Sequence, residues 1–156
     1  MSVITPKQLD VIVYFVDALK RANFSYQITG GLAGNIYGSR WPLHDVDIEI
    51  SIKDMDAVAE LFKEFVVIKP RDYEDKEFRM RLMILEKDDV AVDISAVEDF
   101  YVRCAGSWLK VETDLACAEE VTWKGMQLKV QPLKDIISYK QLLGRIDDVA
   151  DLIRLG

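Results

Sequence analysis

No apolar run in this chain approaches the roughly 18 residues that would cross a bilayer. Met1 to Asp10 lacks a charged lead-in followed by an apolar block, so the sequence predicts no signal peptide. Cysteine is scarce. Cys104 and Cys117 have no metal-type spacing and lie among apolar or small residues. That context predicts two buried free thiols rather than a disulfide, and a cytosolic (cytoplasmic) protein. Positive charge is short as well: 20 lysines and arginines face 27 aspartates and glutamates, a net charge of −7. A broad basic surface for coating nucleic acid is therefore excluded, although a local basic pocket for one phosphate-bearing ligand is not. Repeats, low-complexity tracts and linkers are also missing, so 156 residues suit a single domain with room for two subdomains.

Half of the chain is apolar, enough for a core. Thr5 to Ala22 predicts a helix, with Thr5 as cap, Pro6 at the first helical position and Leu9, Ile12, Phe15, Val16 and Leu19 on one stripe. Ser25 to Thr29 predicts a short strand, and Leu32 to Tyr37 a short helix stopped by Gly38. Asp45 to Ser51 alternates with period two, the mark of a strand. Lys53 to Phe65 predicts a helix, Val66 to Ile68 a short strand, and Lys69 to Glu77 a charged loop containing Pro70. Phe78 to Leu85 and Val90 to Ile94 predict a hairpin. Val97 to Cys104 is ambiguous between irregular chain and a helical turn, and Trp108 to Val111 suits a strand. A second hairpin, Glu120 to Trp123 with Met126 to Val130, turns at Lys124-Gly125. Helices from Pro132 to Leu143 and from Arg145 to Leu155 close the chain, parted by Gly144. Helices between strands first and hairpins later predict an α+β (mixed α/β) class, not a doubly wound parallel sheet. The expected division is a mixed-sheet core over residues 1–131 and C-terminal helices over 132–156.

The chemistry concentrates between Ile28 and Ile50. Gly30-Gly31 permits a sharp bend and close approach of a ligand, and the free amides opening the next helix favour an anion such as a phosphate. Asp45, Asp47 and Glu49 then alternate with Val46, Ile48 and Ile50, so one strand face is aliphatic and the other carries three carboxylates in a row. Like charges at that spacing repel unless a cation sits among them. Asp45 and Asp47, at i and i+2, suit a shared hard cation such as Mg²⁺; the competing reading is a solvated edge strand. Glu49 is either a further ligand or a residue at the far, wet end of the strand. Asp93 lies in the apolar run Val90 to Ser95, where a lone buried carboxylate is unfavourable. Either it completes the cluster from a neighbouring strand, or it pairs with Arg79 or Arg81. A completed cluster could hold two metals about 4 Å apart. Arg40 and Lys140 are candidate phosphate contacts. His44, the only histidine, is out of phase with Asp45. Arg145 is expected to pair with Asp148 and fix the last helix.

These residues resemble the nucleotidyltransferase superfamily with the DNA polymerase beta-like fold. That pattern is a strand, Gly-Gly or Gly-Ser, a short helix, Asp-x-Asp on a strand and a third carboxylate on a later strand. Here it reads Gly30-Gly31, Asp45-x-Asp47 and Asp93. The run from Gly30 to Ile50 and the tail from Lys140 to Leu152 resemble the small prokaryotic branch with the aminoglycoside and lincosamide adenylyltransferases. The resemblance implies that Asp45 and Asp47 bind the Mg²⁺ ions, two in number with Mn²⁺ as an alternative, that carry a nucleoside triphosphate such as ATP. It implies that Gly30-Gly31 cradle the phosphates. Asp93 would be metal ligand and general base for a hydroxyl acceptor of unknown identity, with pyrophosphate leaving. Known branch members carry a larger C-terminal region or dimerise to complete the acceptor pocket, so a homodimer is one expectation. The alternative is a catalytically inactive protein of this fold, a nucleotide binder or a toxin–antitoxin-type partner of a small helical protein.

Overall fold

A computed structural model describes residues 3–155. Helix α1 (Pro6–Arg21) starts as its residues require. Thr5 Oγ1 accepts the Gln8 N–H at 3.1 Å, and Gln8 Oε1 accepts the Thr5 N–H at 2.9 Å, closing a capping box in front of Pro6. Its stripe of Val11, Ile12, Phe15, Val16 and Leu19 is buried.

Among the described residues nine strands form one mixed sheet: β1 (Tyr26–Thr29), β2 (Val46–Ile50), β3 (Val66–Glu74), β4 (Phe78–Lys87), β5 (Val90–Ala96), β6 (Tyr101–Cys104), β7 (Ser107–Lys110), β8 (Glu119–Trp123) and β9 (Met126–Val130). Their order is β7-β6-β4-β5-β2-β1-β9-β8, with β3 paired to β4. β2 runs parallel to β5 and β1 parallel to β9; the other pairs are antiparallel. Besides α1, the described residues form α-helices α2 (Gly30–Ile36), α3 (Met55–Leu61), α4 (Leu133–Leu142) and α5 (Ile146–Ile153). The mixed α+β class follows as expected from the element order.

The core joins α1 to the aliphatic residues of the central strands. Ile48 and Ile50 of β2, Met83 and Leu85 of β4, and Val92 and Ile94 of β5 are fully buried in one cluster with Phe15 and Phe62. The two rings meet edge to face with centroids 4.6 Å apart. Since side chains alternate along a strand, this burial consigns Asp47 and Asp93 to the opposite face of the sheet.

Several elements depart from the sequence expectation. Lys69 to Glu74 is not loop but the continuation of β3, which reaches Glu74. β3 pairs with β4 alone, and its register shifts between Ile68 and Arg71, around Pro70. An edge strand with a bulge can absorb a residue that donates no backbone hydrogen bond. The helix predicted over Lys53 to Phe65 is confined to Met55–Leu61 after a short 3₁₀ turn, and Tyr101–Cys104, predicted as ambiguous, is a strand. Both cysteines are free, as expected, but neither is buried: Cys104 is partly exposed and Cys117 exposed. Among the described residues no helix is long and apolar enough to cross a membrane.

Candidate active site

Strand register decides which side chains meet. β1, β2, β5 and β4 lie side by side, with Thr29, Asp47, Asp93 and Ile84 in one row across them and Gln27, Glu49, Ser95 and Leu82 in the next. Asp47 and Asp93 are therefore direct neighbours on one face. Asp45 stands at the bend just before β2 and is exposed. All three line a cavity of about 490 Å³, walled on its apolar side by Phe78, Met80 and Phe100. The pairing of Asp93 with Arg79 or Arg81 does not occur: Arg79 lies 4.2 Å from the Tyr101 ring centre, and Arg81 pairs with Asp72 at 3.3 Å. Among the described residues, no three His, Cys, Asp or Glu side chains are drawn together closely enough to hold a metal ion.

The carboxylates raise one another's proton affinity. Burial, then the charges of Asp93, Asp45 and Glu49, push Asp47 well above the usual carboxylate range, and Lys140 only partly offsets them. Burial and Asp45 push Asp93 up to about 6. Glu49 is not at a wet end: it is 5% exposed, and burial lifts it to about 7 despite a 2.7 Å hydrogen bond from Gln27 Nε2.

A pH dependence of stability follows. Each of these acids holds its proton more tightly folded than unfolded. Their contribution is complete below pH 4 and is lost as pH rises through the folded values. Without divalent metal, the protein is expected to melt at a lower temperature at pH 8 than at pH 5. Glu49 alone costs about 2.5 kcal/mol over that window, or about 8 °C. Asp75 and Asp151, which hydrogen bonds hold low, act only below that range. Differential scanning calorimetry at the two pH values checks the sign; a higher melting temperature at pH 8 contradicts it.

The glycine pair divides into two roles. Gly30 is the first residue of α2 rather than part of a preceding turn, and its φ is +63°. A Cβ there would fall 2.3 Å from Asp47 Oδ2, so only glycine leaves that carboxylate its place. A Cβ on Gly31 would meet only Leu43 Cδ1, at 3.9 Å. Beyond the pair lies a second cavity of about 410 Å³. It shares Gly30, Gly31, Asp45, Asp47, Lys140 and Arg145 with the first, and His44 lies on its lining. Lys140 is buried between the two and pairs with Asp148 at 3.0 Å. Arg145 therefore does not take Asp148; it pairs with Glu77 at 3.2 Å. Arg40 is exposed and lines a separate recess with Trp41 and Arg154.

Sequence inspection missed the polar frame around this face. Thr29 Oγ1 donates to Gln131 Oε1, and Tyr139 also hydrogen-bonds Thr29. Burial and the charges of Asp47 and Glu49 push the Tyr139 hydroxyl upward. Gln27 was detectable in principle, as a polar residue between Tyr26 and Ile28 in a strand; nothing local marks Tyr139.

Residues 11–135 match the model of the aminoglycoside-2''-adenylyltransferase family. The chain belongs to that family. Its class is accordingly nucleotidyltransferase, and enzymes of this class generally use divalent metals. Among solved structures it is similar to one from Thermotoga maritima described as a candidate nucleotidyltransferase, with 26% identity and a TM-score of 0.78 over 97% of this chain and 93% of that one. It shares the fold of the lincosamide antibiotic adenylyltransferase LnuA with lincomycin bound, at 14% identity and a TM-score of 0.63 over 98% and 99% of the two chains. It shares the fold of ANT(2'')-Ia in complex with adenylyl-2''-tobramycin, at 15% identity and a TM-score of 0.61 over 96% and 90%. Among curated proteins none matches the sequence.

Proposed function

We propose that this adenylyltransferase family member transfers a nucleoside monophosphate from a nucleoside triphosphate to a hydroxyl acceptor, releasing pyrophosphate. The observation that carries the reading is the row of Asp47 beside Asp93, open to one cavity with Asp45 and bordered by Gly30. In chemistry the donor set suits Mg²⁺: hard carboxylate oxygens, crowded enough that burial and mutual repulsion favour protons on them, so that a cation would lower that cost; sharing one ion requires the three side chains to draw closer together than they stand. When bound, Mg²⁺ would neutralise triphosphate charge and acidify the attacking hydroxyl.

The protein's own groups take these parts. Asp45 and Asp47 would hold the cation, and Asp93 would complete its ligands. Gly30 and Gly31 admit the phosphates where side chains would exclude them. Lys140, buried between the two cavities, supplies positive charge to the triphosphate; Arg40, in its separate recess, is not assigned to this set. Asp93 takes the proton of the acceptor hydroxyl as that oxygen bonds to the α-phosphorus, and the bond to pyrophosphate breaks. Catalysis then rests on positioning and charge.

Calorimetry with Mg·ATP tests the assignment. The native protein is expected to bind, and an Asp45→Asn, Asp47→Asn double variant to bind at least thirtyfold more weakly. Equal binding removes the metal role from both residues. Binding without pyrophosphate release would leave a nucleotide-binding protein on this fold.

A further inference from the structure

The second row of the cavity floor is as specifically built as the first. Glu49 sits at its centre, one alternation beyond Asp47 and so about 7 Å along the strand. Gln27, its partner on β1, is fully buried and holds Glu49 Oε1 through Nε2 at 2.7 Å. The same nitrogen lies 2.9 Å from Thr113 Oγ1, which ties the arrangement to the chain beyond β7. Glu49 is nineteen-twentieths buried, lines the cavity, and has no hydrogen-bond donor to its second oxygen among the described residues. A buried carboxylate with one oxygen fixed and the other facing a cavity lacks a partner that a ligand can provide.

Its position says which ligand. Glu49, Asp93 and Ser95 line the first cavity but not the second, whereas Gly30, Gly31 and Lys140 line both. With the phosphates at the glycines and the acceptor hydroxyl at Asp93, the acceptor's body extends over the second row. We propose that Glu49 is a specificity-determining residue for the acceptor: its free oxygen accepts a hydrogen bond from an amine or hydroxyl about 7 Å from the reacting oxygen. The inference rests on the transferase reading given above. It places a fixed polar anchor beside the apolar wall of Phe78, Met80 and Phe100. A site built this way rejects molecules lacking the donor, since their binding would leave the second oxygen of a buried carboxylate unpaired.

Isothermal calorimetry on the whole chain, loaded with Mg²⁺ and a non-hydrolysable ATP analogue, tests this. Lincomycin and tobramycin serve as probes, both rich in hydroxyl and amino groups. Glu49→Leu is expected to weaken probe binding at least tenfold while the nucleotide Kd stays within twofold. Glu49→Gln, which keeps the shape, is expected to lie between, and Gln27→Leu, which frees Glu49 from its tether, to weaken the probe by several-fold. Unchanged probe binding in Glu49→Leu overturns the proposal. So does a parallel loss of nucleotide and probe in both Glu49 variants, which marks a structural role, or a native protein that binds nucleotide but neither probe. A native protein that binds no Mg·ATP takes down the transferase reading, and this inference with it.

Discussion

Asp93→Asn is expected to slow pyrophosphate release by about 10³-fold while leaving the protein folded and no less stable at pH 8. The amide has nearly the same shape as the carboxyl, so the row beside Asp47 stays packed. It cannot accept a proton from the acceptor hydroxyl, and loss of a general base typically costs 10²–10⁴ in rate, on the order of 3 to 5 kcal/mol of barrier. Removing one charge also relieves Asp47, which the Asp93 charge pushes up. A variant retaining more than a tenth of native turnover, measured by coupled pyrophosphate detection, would dismiss Asp93 as the base. A large drop in melting temperature would show a structural role instead.

Gly30→Ala is the second change with a large expected effect, and Gly31→Ala is its control. At Gly30 the added methyl meets Asp47 Oδ2 at 2.3 Å, in a backbone conformation with φ +63° that alanine disfavours by about 1 kcal/mol. Either Asp47 moves or α2 does. The expected result is about 2 kcal/mol of lost stability, roughly 6 °C in melting temperature, and turnover lowered more than a hundredfold. Gly31 has open space around a Cβ, so Gly31→Ala should melt like the native protein. If the two variants melt alike and Gly30→Ala keeps its activity, the close approach of Gly30 to Asp47 has no functional weight.

What the sequence disclosed and what it withheld divide along a physical line. Signals carried by neighbouring residues were readable. The cap at Thr5, the period-two alternation of β2 and the break at Gly144 all belong to local geometry. The β2–β5 pairing that sets Asp47 beside Asp93 joins strands some forty positions apart, and no local pattern fixes such a register. The burial of Glu49 was hidden for the same reason: its setting comes from Gln27 on β1 and Ser95 on β5, not from its own strand. Charge and Pro70 made Lys69 to Glu77 read as loop, but proline is excluded only from central strands, and β3 is an edge strand. The tail placed cations and carboxylates close in sequence and suggested an Arg145–Asp148 pair. Instead Lys140 reaches Asp148, and Arg145 turns to Glu77, a residue 68 positions away. Ion pairs among closely spaced charges are nearly degenerate in energy, so tertiary packing chooses between them.

The proposed chemistry requires the carboxylates of β2 and β5 to hold a common cation beside Gly30. A crystal structure with Mn²⁺ and a non-hydrolysable ATP analogue, read in anomalous difference maps, tests that most directly. The predicted result is manganese density bonded to Asp45 and Asp47 with Asp93 within ligand distance, and the triphosphate lying against Gly30 and Gly31. Nucleotide bound elsewhere, or manganese seated without Asp45 and Asp47, would contradict it.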